Sequence, residues 1–205
     1  MKTRYLIATA LLILTAGCHK ETTPKATVSP SHSELGYQGG EVVLSLESNV
    51  PWSSSCEVEG VTLSPSSGTG DTRITLRIPE NDRPETRSVR ILFTAQEEGA
   101  SSRSTTRHVV TLESAPYIGF PAGGASISPN GGGVRAELWA TRPWHLSGEL
   151  PGWISLDGTE GASNAVLSLT LPANETGAVR ECDVLFALRD YPGKTASFHI
   201  IQPSL

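Results

Sequence analysis

PENDRPETRSVRILF (79–93) and PANETGAVRECDVLF (172–186) are one short text written twice, 93 positions apart. In each, a proline is followed by an asparagine (Asn81, Asn174), then an arginine (Arg87, Arg180), then an alternating run ending in Phe93 or Phe186. Working outward, GGEVVLSLESNVPW (39–52) parallels GGVRAELWATRPW (132–144), and GVTLSPSSG (60–68) parallels WISLDGTEG (153–161). ITLRIPEN (74–81) parallels LSLTLPAN (167–174), and the closing HVVTL (108–112) parallels HIIQP (199–203). Self-similarity at a near-constant offset over almost everything after residue 25 means two copies of one structural unit.

The unit is built of strands. Val42, Leu44 and Leu46 alternate with Val43, Ser45 and Glu47, and the same period of two runs through Ile74, Leu76 and Ile78 and through Val89, Ile91 and Phe93. Strict alternation marks strands with one buried face. Gly, Pro, Ser and Asn clusters between them supply turns, and no apolar stripe of helical period is present after the first 18 residues. The expectation is an all-β chain of two tandem immunoglobulin-like β-sandwich domains, 26–112 and 119–205, joined by a short linker at 113–118. So short a linker predicts a semi-rigid rod, about 30–40 Å per domain.

MKTRYLIATALLILTAGC (1–18) reads as a secretory leader: basic Lys2 and Arg4, an apolar run from Tyr5 to Leu14, then small residues. The run is too short to span a bilayer. Thr15-Ala16-Gly17-Cys18 resembles the lipobox of bacterial lipoproteins, although Leu14 stands four residues before the cysteine where three is usual. That resemblance implies cleavage after residue 17 and lipidation of Cys18, with residues 18–25 as the lipidated tether; the alternative is a standard signal peptide that happens to contain a cysteine. Multiple acyl chains, each CH₂ worth about 0.8 kcal/mol, would make the membrane a partner through Cys18, at the outer membrane of the cell envelope. Without Lys2 and Arg4 the chain keeps 14 basic against 21 acidic side chains, a net charge of −7. A negative chain with no basic run argues against nucleic acid. Cys56 and Cys182 remain, one per copy at non-matching positions, and read as buried free thiols; no Cys/His spacing suits a metal and no cofactor is expected.

A glycine pair, a strand, Pro-Trp, Leu-Ser-Pro-x-Ser-Gly, then Asn, Arg and a closing Ile-x-Gln resemble BACON domains, immunoglobulin-like sandwiches of Bacteroidetes often attached to glycan-processing enzymes. The pattern falls on Trp52, Leu63 to Gly68, Asn81 and Arg87 in the first copy, and on Trp144, Trp153, Asn174, Arg180 and Gln202 in the second. The first copy has Gly60 where the second has Trp153, and Thr111 where the second has Gln202. The resemblance implies a non-catalytic envelope lipoprotein that holds polysaccharide or glycoprotein glycans. The competing expectation is a spacer or assembly subunit for other envelope proteins.

No catalytic constellation accompanies the repeat. The histidines form no HxH or HExxH pair, His108 and His199 read as matching strand positions, and the serine-rich loops form no nucleophile elbow. An enzyme is not expected. Trp52 and Trp144 recur and read as core. Trp153 matches the family's aromatic beside the Leu-Ser-Pro loop and is expected to be at least half buried. Trp139 differs: alternation points it outward beside Arg135 and Glu137, and its counterpart is Glu47. An aromatic face flanked by charged hydrogen-bonding groups suits a sugar's C–H surface and hydroxyls. Trp139, Glu137, Arg135 and Tyr191, the last at a hairpin tip, are therefore the candidate binding residues. The alternative for Trp139 is packing under a loop or against the other domain. Tyr117 and Phe120 are expected to fill the join between the copies.

Overall fold

A computed structural model describes residues 22–205. The leader 1–17 and the candidate lipidation residue Cys18 lie outside the described residues. The first unit contains β1 (Ala26–Ser29), β2 (His32–Leu35), β3 (Gly40–Ser48), β4 (Pro51–Cys56) and β5 (Thr62–Ser64). It continues with β6 (Ser67–Thr69), β7 (Thr72–Ile78), β8 (Arg87–Ala95) and β9 (Ser104–Leu112). These form a four-stranded sheet, β1-β3-β7-β5, and a five-stranded sheet, β2-β9-β8-β4-β6. Inward residues of the two sheets, among them Leu44, Leu46, Ile74 and Leu76 from one and Ile91, Phe93 and Val110 from the other, make one core.

The second unit repeats the plan with β10 (Ile118–Gly119), β11 (Gly124–Ser126), β12 (Gly132–Ala140), β13 (Trp144–Leu146) and β14 (Ser155–Leu156). β15 (Glu160–Gly161), β16 (Ala165–Leu171), β17 (Arg180–Leu188) and β18 (Thr195–Gln202) complete it. Its sheets are β10-β12-β16-β14 and β11-β18-β17-β13-β15, around a separate core centred on Trp144, Phe186 and Leu138. The chain is all-β over the described residues, two immunoglobulin-like sandwiches in series.

The recurring residues explain themselves physically. Gly39 and Gly40 have φ of 73° and 142°, Gly131 and Gly132 of 87° and 141°, a region open to glycine and costly for other residues. The glycine pair therefore aligns at 39–40 with 131–132, one residue earlier than the letters GGV suggest. Trp52 and Trp144 are buried, each with its indole lying on a glycine of the facing edge strand, Gly68 and Gly161. Asn81 and Asn174 are fully buried latches. The Asn81 side-chain amide donates to the carbonyls of Glu85 (2.7 Å) and Glu113 (2.8 Å), and that of Asn174 to Ala178 (2.8 Å), Gln202 and Pro203. Each ties its turn to the end of the closing strand, so a buried polar side chain satisfies carbonyls that would otherwise be orphaned.

One alignment is corrected by register. Arg87 stands opposite Leu112, and Arg180 opposite Gln202, so Leu112 rather than Thr111 is the counterpart of Gln202. Likewise His32 pairs with Val109 in the parallel β2–β9 ladder and Gly124 pairs with His199 in β11–β18. Val109 is thus the counterpart of His199, and His108 that of Phe198. A one-residue slip reverses the face of every side chain. His108 is fully buried while His199 is on the solvent side. Cys56 and Cys182 are free, half-buried rather than buried, and each packs on its own core.

The join is bonded on both sides. Toward the first sandwich, Glu113 N–H donates to Leu35 O (3.0 Å) and Ala115 N–H to Arg83 O (2.7 Å). Toward the second, Thr141 Oγ1 donates to Ala115 O (2.7 Å) and accepts from Tyr117 N–H (2.9 Å), while Arg142 donates to Ser114 O (2.8 Å). Phe120 leaves the join and packs on Phe186 and Phe198 in the second core.

Candidate functional site

The outward face of β10-β12-β16 presents apolar surface where the fold does not need it. Trp139 is 50% exposed and Val166 58% exposed. Val166 stands directly across from Glu137, which places it diagonal to Trp139. These side chains, with Asn164, border a shallow recess of about 220 Å³. Asn164 Oδ1 is held by the Ala140 N–H at 2.8 Å, which fixes the recess wall. Gly119 is paired with Trp139 and has no side chain to cover the indole; the Tyr117 ring lies over that glycine instead. Tyr117 is 39% exposed; it extends this aromatic surface and also lines the cleft at the join, without filling it.

Arg135 shares this face but stands opposite Ser168, away from the recess. Its charge acts on Asp157. Hydrogen bonds from Ser168, the backbone N–H at 2.8 Å foremost, hold the Asp157 carboxyl below the usual carboxylate range, and the Arg135 guanidinium adds to the effect.

Tyr191 does not join this group. Its ring is partly buried against the second core and meets Tyr37 of the first sandwich edge-on, with centroids 6.1 Å apart. It lines a different cleft, of about 370 Å³, shared with Tyr37, Tyr117, Glu80, Asp82 and Lys194. The turn at Pro192-Gly193 does reach solvent, but the preceding ring folds back onto the junction, which a local turn pattern cannot reveal. Sequence reasoning missed Tyr37 altogether. The available signal was that its structural counterpart is Pro129: Asn81 N–H donates to Tyr37 O as Asn174 N–H donates to Pro129 O.

Trp153 is partly buried and lies under the Arg180 guanidinium, 4.5 Å from the ring centroid. Arg180 also donates to Gln202 Oε1 (2.9 Å) and Pro172 O (2.9 Å), a closed structural cluster rather than an open site.

On the outer face of β17–β18, His199 Nδ1 is 2.9 Å from Asp183 Oδ1, and Ser197 Oγ donates to the same oxygen at 3.2 Å. The His199 bond, then that from Ser197, holds the Asp183 carboxyl below its ordinary range. In the Ser–His arrangement the serine hydroxyl bonds the imidazole; here Ser197 and His199 both bond the Asp183 carboxylate instead. Among the described residues no group of three His, Cys, Asp or Glu side chains is placed to hold a metal ion.

No curated protein matches the chain. Among solved structures the likenesses are distant. A Bacteroides ovatus xyloglucanase in complex with a heptasaccharide gives 13% identity and a TM-score of 0.38 over 51% of this chain and 22% of that one. Drosophila N-cadherin gives 10% and 0.49, over 90% and 50% of the two chains. The titin immunoglobulin tandem gives 10% and 0.37, over 90% and 99%. The chain thus spans about a fifth of the xyloglucanase. Residues 50–111 match the BACON family, described as "Putative binding domain, N-terminal", and the residues Trp52, Leu63 to Gly68, Asn81 and Arg87 that carry the resemblance fall within that match.

Proposed function

We propose that this chain is a non-catalytic binding module, and that the face carrying Trp139, Glu137 and Val166 holds a glycan chain weakly. The observation that carries the reading is a half-exposed tryptophan at a position where the other copy has Glu47, facing an open recess with a carboxylate and an amide beside it. A pyranose ring laid on the indole would leave its hydroxyls to Glu137 and Asn164. A shallow site of this kind yields about −4 to −6 kcal/mol, millimolar to tens of micromolar. The family description, a binding domain, supports the class of activity; the platform itself lies in the second sandwich, outside the matched residues. Attachment through Cys18 to the outer membrane, as the leader implies, would place the module at the cell envelope.

The doubly bonded join supports a second reading, a spacer that holds envelope proteins at a set distance. The two part in one experiment. The soluble chain 19–205 and its Trp139→Ala variant are screened on a glycan panel at concentrations reaching about a millimolar. Binding lost in the variant establishes the platform; silence from the native protein discards it in favour of the spacer.

A further inference from the structure

All three tyrosines among residues 22–205 line one cleft, although they stand at positions 37, 117 and 191. They come from the β2–β3 turn, the join and the β17–β18 hairpin. The sandwich plan demands none of them. Tyr37 is matched by Pro129, the join occurs once, and the β8–β9 loop that corresponds to the Tyr191 hairpin reads QEEGASSR, without an aromatic.

The shape of the cleft limits what fits it. The planes of Tyr37 and Tyr191 cross at 74°, so the rings make a corner and not a flat shelf. Exposed carboxylates of Glu80 and Asp82 border it from the β7–β8 turn, and among its lining residues the one cation is Lys194, exposed on the hairpin. Neither carboxylate forms an ion pair among the described residues. Aromatic faces are negative and attract cations, and the two carboxylates add to that field. A sugar ring prefers a broad face such as Trp139; a compact cation suits a corner.

We propose that this cleft between the sandwiches binds a cationic side chain, arginine or lysine, of a partner polypeptide. The site is separate from the Trp139 recess, and the chain's excess of acidic residues favours approach of such a partner.

The test uses isotope-labelled chain 19–205 titrated with acetylated, amidated Gly-Arg-Gly and its Lys, Leu and Glu counterparts to about 20 mM, beyond the range of a single-side-chain contact. Followed by NMR, the Arg and Lys peptides are expected to give saturable shifts at Tyr37, Asp82 and Tyr191, with the Leu peptide weaker by about fivefold or more. The Glu80→Gln/Asp82→Asn variant, altered at exposed positions so that folding is retained, weakens the Arg peptide by a similar factor. Tyr37→Ala removes the corner and the binding with it. The proposal is overturned if the Arg peptide gives no saturable shift, if the Leu peptide matches it, or if the charge-neutral variant binds equally well. Shifts centred on Trp139, or displacement of the Arg peptide from the cleft by a neutral trisaccharide, also overturn it.

Discussion

The two sandwiches follow one plan and finish it differently. Both keep the glycine pair, the Trp-on-Gly contact and the asparagine latch. In the second, Trp144 Nε1 donates to Ser163 O at 2.7 Å, Arg180 roofs Trp153, and Phe198 fills an inward position of the last strand. In the first, Trp52 Nε1 has no partner, Gly60 stands in place of Trp153, and the inward position is taken by His108. Each copy is therefore a control for the other. What recurs reports the needs of the fold; among what does not recur, Trp139 and the three tyrosines border open recesses, and there function has room to differ.

The largest expected effect is at the core tryptophans. Trp144→Ala and Trp52→Ala should each cost about 3–5 kcal/mol by cavity formation. Trp144→Ala belongs at the upper end because the Ser163 carbonyl also loses its donor. Denaturant unfolding of the two variants measures the gap, and a larger loss from Trp52→Ala would break the comparison. The glycines beneath the rings come next. A Cβ on Gly161 would lie 2.6 Å from Trp144 Cζ2, against 3.2 Å for Gly68 and Trp52. Gly161→Ala should cost about 1–3 kcal/mol as overpacking, and Gly68→Ala less, by the same measurement.

The smallest effect separates the copies by pH. His108 Nδ1 donates to Pro30 O at 2.7 Å and Nε2 is buried without a partner. Burial, foremost, pushes its pKa below the ordinary histidine value of 6.5, outweighing the Pro30 bond, which acts the other way. The unfolded chain then binds a proton more readily than the native one. The first sandwich's share of stability is full above pH 6.5 and declines as pH falls below it, with a slope of at most one proton, about 1.4 kcal/mol per pH unit. Hydrogen exchange of the β8–β9 amides should show this decline. His108→Phe should remove that contribution, and an unchanged slope in the variant would refute the assignment.

Alternation made the faces readable from the letters, since Trp139 needed no more than its neighbours Leu138 and Ala140 to be placed outward. The offset made the duplication readable. The last strand misled because the second copy shortens its preceding hairpin: Val89 pairs with Val110, whereas its counterpart Cys182 pairs with Ile200. The offset thereby falls from 93 to 90, and two chemically unrelated histidines came close to coincidence. The tyrosine cleft was illegible for another reason. Its members are far apart in the chain and meet through the geometry of the join, which leaves no periodic trace in any single segment.

The parallel ladders β2–β9 and β11–β18 also determine how the protein carries a load. A pull that separates the start of one strand from the end of its parallel neighbour stretches all rungs together instead of unzipping them in turn. The first ladder has four residue pairs, from His32–Val109 to Leu35–Leu112, and the second has three, from Gly124–His199 to Ser126–Ile201. Under tension the second sandwich should yield first, leaving the sandwich nearer residue 22 intact.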